Sequence, residues 1–124
     1  MEHSISLSED RSYVVLRLRG EIRGRAAVET NLEAHSFGRE HGVHRYLVDA
    51  RECRNVDTVF GNYEFAYKDM RLAEGIDRNA RIAVLVSPGD HSHDFVETVS
   101  RNSGLDVTLF TDLELALRHL SEER

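Results

Sequence analysis

Arg81-Ile82-Ala83-Val84-Leu85-Val86-Ser87-Pro88-Gly89 is the stretch that decides the fold. From Ile82 to Val86 every position is apolar. A strand with one wet face would alternate, so an unbroken run predicts burial on both faces, as in a parallel sheet covered by helices. Pro88 cannot donate to a sheet ladder and ends the run. The residues that follow predict a helix over His91–Ser103, with Phe95, Val96 and Val99 on one face and Gly104 as its left-handed stop. Leu105–Phe110 is then a further strand and Asp112–Leu120 a last helix. Thr111-Asp112-Leu113-Glu114 has the spacing of a capping box, with Phe110 and Leu115 placed for the accompanying hydrophobic staple. Leu113, Ala116, Leu117 and Leu120 form its expected inward stripe.

Upstream, Ile5 and Leu7 alternate with serines, and Val14, Leu16 and Leu18 alternate with Val15, Arg17 and Arg19. Two such runs around the polar Glu9-Asp10-Arg11-Ser12 predict an antiparallel hairpin at a sheet edge, ended by Gly20. Gly24 to His41 reads as a helix stopped by Gly42. Tyr46-Leu47-Val48 reads as a short buried strand with Asp49 just beyond it, at the edge where open α/β sheets place ligands. The plainer role for Asp49 is to serve a turn. Arg51 to Asp57 reads as a polar connection. A second long helix is expected from Thr58 to Glu74, stopped by Gly75. On it Val59, Tyr63, Ala66, Met70 and Ala73 share one face, and Phe65, Leu72 and Ile76 lie nearly opposite. A surface helix usually has one apolar stripe. The second stripe therefore suggests a partner, most simply another copy of this chain, against the plainer reading of scattered exposed apolar residues.

The expected architecture is one α/β domain over residues 1–124. It has a mixed five-stranded sheet, with an N-terminal antiparallel hairpin followed by parallel strands, and four helices. The 124 residues suffice for a core without disulfides, and the single Cys53 fits a reducing compartment. No apolar run approaches the roughly 20 residues of a membrane span, and Met1-Glu2-His3-Ser4 does not read as a signal peptide. These features predict a cytoplasmic protein. Lys68 is the only lysine among many arginines, which suggests a GC-rich bacterial genome. A net charge of −6 opposes binding to nucleic-acid phosphates.

The order of elements resembles the STAS fold in its SpoIIAA-like branch, whose topology overlaps that of SEC14-type lipid-binding domains. The pieces that carry the likeness are Tyr46-Leu47-Val48-Asp49, the helix 58–74, Arg81-Ile82-Ala83-Val84, His93-Asp94-Phe95-Val96-Glu97-Thr98 and Val107-Thr108-Leu109-Phe110 with Asp112 and Ala116. Signalling members of that family carry Asp-Ser-Ser-Gly at the start of the helix after the second core strand, and phosphorylation of a serine there controls docking to a partner kinase. Here the corresponding residues are Val56-Asp57-Thr58-Val59-Phe60-Gly61. Asp57 and Thr58 match in kind, which makes Thr58 the candidate phosphoacceptor; Val59 and Phe60 depart from the pattern. A phosphate at a helix N-terminus would meet unpaired N–H groups, but Asp57 or Thr58 is also a good helix cap.

Candidate chemistry outside the resemblance is sparse. Asp90-His91-Ser92-His93-Asp94 is the densest cluster of ligating side chains, and Asp49, His91 and His93 are the metal candidates. In a turn becoming a helix, however, residues i and i+2 diverge by about 200 degrees, so no metal and no cofactor is expected. Cys53 lies among Arg51, Glu52 and Arg54; arginines could lower its pKa, although a surface or half-buried thiol is the plainer reading. Arg17, Arg19, Arg23 and Arg25 could form a basic patch or simply a solvated face. His3, His41, His44 and His119 read as surface residues. There is no phosphate loop, dinucleotide fingerprint or nucleophile elbow. The expectation is a non-catalytic regulatory module, not an enzyme, that works through protein–protein contact and forms a homodimer. Its contact residues are drawn from Asp49, Asp57, Tyr63, Phe65, Tyr67, Leu72, Ile76, His91 and His93. The alternative is a small-molecule or lipid binder with a pocket between helix 58–74 and the sheet, lined by Tyr63, Tyr67 and Met70. A third reading is a metal-dependent enzyme built on Asp49, His91 and His93.

Overall fold

The computed structural model describes residues 1–56, 75, 77–94, 97, 100, 101 and 104–122. The strands are β1 (Glu2–Leu7), β2 (Val14–Ile22), β3 (Arg45–Asn55), β4 (Arg81–Leu85) and β5 (Asp106–Phe110), with helices α1 (Gly24–His41) and α2 (Leu113–Ser121). They form one sheet in the order β1-β2-β3-β4-β5. The β1–β2 pair is antiparallel and the other three pairs are parallel. The expected hairpin-then-parallel sheet is therefore the observed one. Four helices were expected, and two are complete among the described residues. Helix 58–74, with its two stripes and Ile76, lies outside them. Of the helix expected at 91–103, Asp94, Glu97, Ser100 and Arg101 are helical and Phe95, Val96 and Val99 lie outside. Among the described residues no helix is long and apolar enough to cross a membrane.

The sequential strand order explains the layers. Right-handed crossovers that always step the same way along a sheet deposit their helices on one face. That face buries Leu16, Leu18, Tyr46, Val48, Ile82, Val84 and Val107, and α1 contributes Ala34 to it. The helix after the last strand is not bound by that rule. α2 covers the other face, where Leu47, Ala83 and Leu85 meet Ala116 and Leu120. All five residues of β4 are buried, as its apolar run requires.

The price of that burial is Arg81, 8% exposed at the start of β4. Its Nη1 donates to the carbonyls of His119 (3.0 Å) and Glu122 (2.8 Å). Arg45 Nη2 donates to the same Glu122 carbonyl at 3.1 Å, and its Nη1 to that of Leu120. Two guanidinium groups thus satisfy the orphan carbonyls at the C-terminus of α2 and meet its negative dipole end.

Three local readings are corrected. Gly20, with φ 93°, does not end β2, which continues to Ile22. The cap of α2 is Asp112, which accepts from Leu115 N at 3.1 Å, so the capping box and staple around Thr111 do not form. Glu114 pairs instead with Arg118 at 3.0 Å, and Leu113 and Leu115 stay exposed. β3 runs to Asn55, well past the expected Val48. Its second half has one wet face, and a register shift beside Arg17/Arg19 inserts an extra residue, so that Ala50 and Cys53 both face inward.

Gly38 of α1 lets β3 approach. A Cβ there would lie 2.0 Å from Tyr46 Oη and 2.9 Å from the Val43 carbonyl oxygen. Tyr46 is 1% exposed and donates its hydroxyl to that carbonyl at 3.3 Å, so it has little room to yield. Gly38→Ala is expected to cost about 1–3 kcal/mol through overpacking, read from urea unfolding; an unchanged midpoint would refute this close packing.

Candidate contact site at the carboxyl edge of the sheet

The tail of β3 is fastened to the loop after β4. Ser87 Oγ donates to the Arg51 carbonyl at 2.7 Å. Asn55 N donates to Ser92 Oγ, and Asn55 Nδ2 to the Ser92 carbonyl, both at 3.1 Å. Asp90 Oδ1 accepts from Ser92 N at 2.9 Å, an Asx turn that shapes the loop. His93 lies 2.9 Å from the Cys53 carbonyl, which can only accept, so Nε2 carries the proton.

The candidate residues among those described fall in different places. His91 and His93 part company: the His91 side chain is 80% exposed and pairs with Asp94 at 2.8 Å, whereas the His93 side chain is 8% exposed. Asp49 is not beyond a strand end. It lies within β3, paired in register with Leu85, on the sheet face of Leu47. Its carboxylate takes Arg51 Nε at 3.0 Å and Nη2 at 2.9 Å, with Arg17 at 3.7 Å. The hydrogen bond from Arg51 is the main cause that holds its pKa below the usual carboxylate value. Asp49, His91 and His93 therefore do not converge, and among the described residues no three His, Cys, Asp or Glu side chains could hold a metal. Asp57, Thr58, Tyr63, Phe65, Tyr67, Leu72 and Ile76 lie outside the described residues, as does Met70.

Cys53 is 3% exposed, not a surface or half-buried thiol. Burial, followed by the nearby Asp90 carboxylate, pushes its pKa up to about 11, the opposite of activation by arginines. Asp90 itself titrates low: burial would raise it, but the Ser92 hydrogen bonds and the His93 and Arg54 charges outweigh that. The arginine patch is largely neutralised, Arg19 by Glu52 at 2.8 Å and Arg17 by Asp49, while Arg23 Nη1 reaches the Val56 carbonyl at 3.3 Å.

Two features were not foreseen. On the α1 face lies a cavity of about 90 Å³. Leu18, Ile22, Val48 and Val84 line it, with Asn31 and His93 as polar neighbours. No sequence signal marks it, because its walls are ordinary core positions from five elements. At the opposite, amino edge of the sheet a polar cluster joins His35, Asp77 and His44. His35, 1% exposed, accepts from Asp77 N at 2.9 Å through Nδ1 and stacks on Tyr46 with ring centroids 4.6 Å apart. The Asp77 carboxylate is held by His44 Nδ1 at 2.5 Å and Asn79 N at 2.9 Å. His44, read as a surface residue, thus has a structural partner.

The chain has a SpoIIAA-like fold. No family model matches it, and no curated protein does. Among solved structures it is similar to an uncharacterized protein of the DUF3478 family with a SpoIIAA-like fold from Shewanella loihica PV-4, at 16% identity and a TM-score of 0.54, covering 96% of this chain and 92% of that one. A second match is an antisigma-factor antagonist STAS domain from Rhodobacter sphaeroides, at 15% identity and a TM-score of 0.39, covering 98% and 91%.

Burial lowers the His35 pKa from 6.5 to about 4. Between those values the unfolded chain takes up a proton that the folded chain refuses. The contribution is therefore complete above about pH 6.5, declines as pH falls, and is gone below about pH 4, for a total of about 3 kcal/mol. Urea midpoints at pH 7 and pH 4.5 should fall farther apart in the native chain than in His35→Gln; equal slopes would show that His35 does not titrate this way.

Proposed function

We propose that the chain is a non-catalytic binding or regulatory module that acts through protein–protein contact. The observation that supports this most is how the reactive side chains of the carboxyl edge are spent. The His93 proton goes to the Cys53 carbonyl, the Asp49 carboxylate to Arg51, and the Cys53 thiol is buried and held protonated. A nucleophile needs a base within reach, and these three groups serve the architecture instead. What they leave on the surface is His91 with Asp94, together with Asp90 and the ends of β4 and β5, a rim that sets charged side chains beside the apolar Leu109 and Phe110. A homodimer joined through segment 58–74, phosphorylation at Thr58, a cytoplasmic setting and a bacterial source belong to the same reading.

The second reading, a small-molecule or lipid binder, draws on the cavity beneath α1. About 90 Å³ is less than the roughly 150 Å³ that admits benzene. That volume suits a ligand of a few atoms better than an acyl chain. The metal-enzyme reading would need Asp49, His91 and His93 to leave their present partners.

Native mass spectrometry of the purified chain separates the three. The expected result is a dimer at micromolar concentration without added mass. A monomer carrying a small-molecule adduct would support the second reading instead, and bound zinc, manganese or iron the third.

A further inference from the structure

An edge strand presents unpaired backbone groups that can recruit another chain. β5 is the last strand of the sheet. Its Phe110 carbonyl faces β4 and accepts from Val86 N at 2.8 Å. Because backbone groups alternate along a strand, Val107 and Leu109 turn theirs to the open side. Those groups are occupied. Arg101 Nε donates to the Val107 carbonyl at 3.0 Å, and Glu97 Oε2 accepts from Leu109 N at 2.7 Å. Arg101 Nη2 also donates to Thr108 Oγ1 at 2.7 Å.

The pattern is that of a strand. In a parallel ladder, one residue of the neighbouring strand donates to the carbonyl of residue i−1 and accepts from the amide of residue i+1. Here the guanidinium supplies that donor and the carboxylate that acceptor, on either side of Thr108. Both side chains come from helical residues one turn apart, so a single surface of that helix delivers the pair.

We propose that Glu97 and Arg101 stand in for a sixth strand and close β5 to a second copy of this chain. Asp-Val-Thr-Leu-Phe has β-branched and aromatic residues, one charge and no proline, which is the composition of a strand ready to pair. Two copies of one open edge would meet antiparallel about a two-fold axis, each masking the other. The side-chain pair occupies that place first. Any dimer of the intact chain therefore forms elsewhere, and this inference stands or falls separately from the homodimer proposed above.

Amide exchange in the intact chain gives the first reading. Leu109, though on the outer edge, should exchange at least tenfold more slowly than an unstructured amide. Glu97→Gln keeps an oxygen acceptor and should preserve that protection, while Glu97→Ala should abolish it and leave the β4 amides slow. Light scattering gives the second: the Glu97→Ala/Arg101→Ala variant should gain mass with concentration beyond the intact chain. Unprotected Leu109 in the intact chain would overturn the proposal. So would a folded double variant whose mass matches the intact chain at every concentration. If the double variant does not fold, Leu109 exchange in the intact and Glu97→Gln chains decides.

Discussion

Two arginines at the amino ends of adjacent strands grip the last carbonyls of α2, and the rest of the sheet depends on that grip. β4 is apolar along both faces and cannot tolerate water on either. One face belongs to the larger core cluster, to which α1 contributes Ala34. The other is covered over Leu47, Ala83 and Leu85 by α2. A helix of nine residues has little stability alone. It is kept in place by Leu120 and Ala116 inside and by Arg45 and Arg81 at its end. Burying a guanidinium is unfavourable unless its donors are met. Here the carbonyls of His119 and Glu122 meet Nη1, while Nε makes no hydrogen bond and faces the Asp106 carboxylate at 3.6 Å.

The same economy governs the polar side chains elsewhere. His93, Ser92, Asp90 and Asn55 spend their hydrogen-bonding capacity joining β3 to the loop after β4. His35 and Asp77 do so at the amino edge, where the chain enters β4. The two clusters fasten β4, one at each end. Among the described residues of the carboxyl edge, these side chains are committed to structural bonds, and the proposed contact role rests on that observation.

How much of this the sequence revealed follows from how local each cause is. β4 was legible because five apolar residues and Pro88 carry their meaning in themselves. α1 was legible to the residue, with Gly42 at φ 67° closing it. The second half of β3 was not, because Asp49, Arg51, Glu52 and Arg54 look like a loop until β2 beside them supplies the ladder and the bulge restores the inward phase of Cys53. The cap of α2 shifted by one residue because Thr111 and Asp112 are both good caps, and tertiary packing chose between them. The site was least legible. That His91 faces solvent and His93 the core could be read from their spacing, but the carbonyl that takes the His93 proton comes from a residue 40 positions away.

The grip on α2 can be tested directly by hydrogen exchange on Arg81→Ala. Losing one arginine should remove its charge-assisted bonds to the His119 and Glu122 carbonyls, leaving His119 only the 3.4 Å bond from Glu122 N, at a cost of about 2–3 kcal/mol. Amides of α2 and of β4 from Ile82 to Leu85 should then exchange faster together, while those of α1 change less. If α2 and β4 keep their native exchange rates in that variant, the helix is held by its leucines alone and the central claim is wrong.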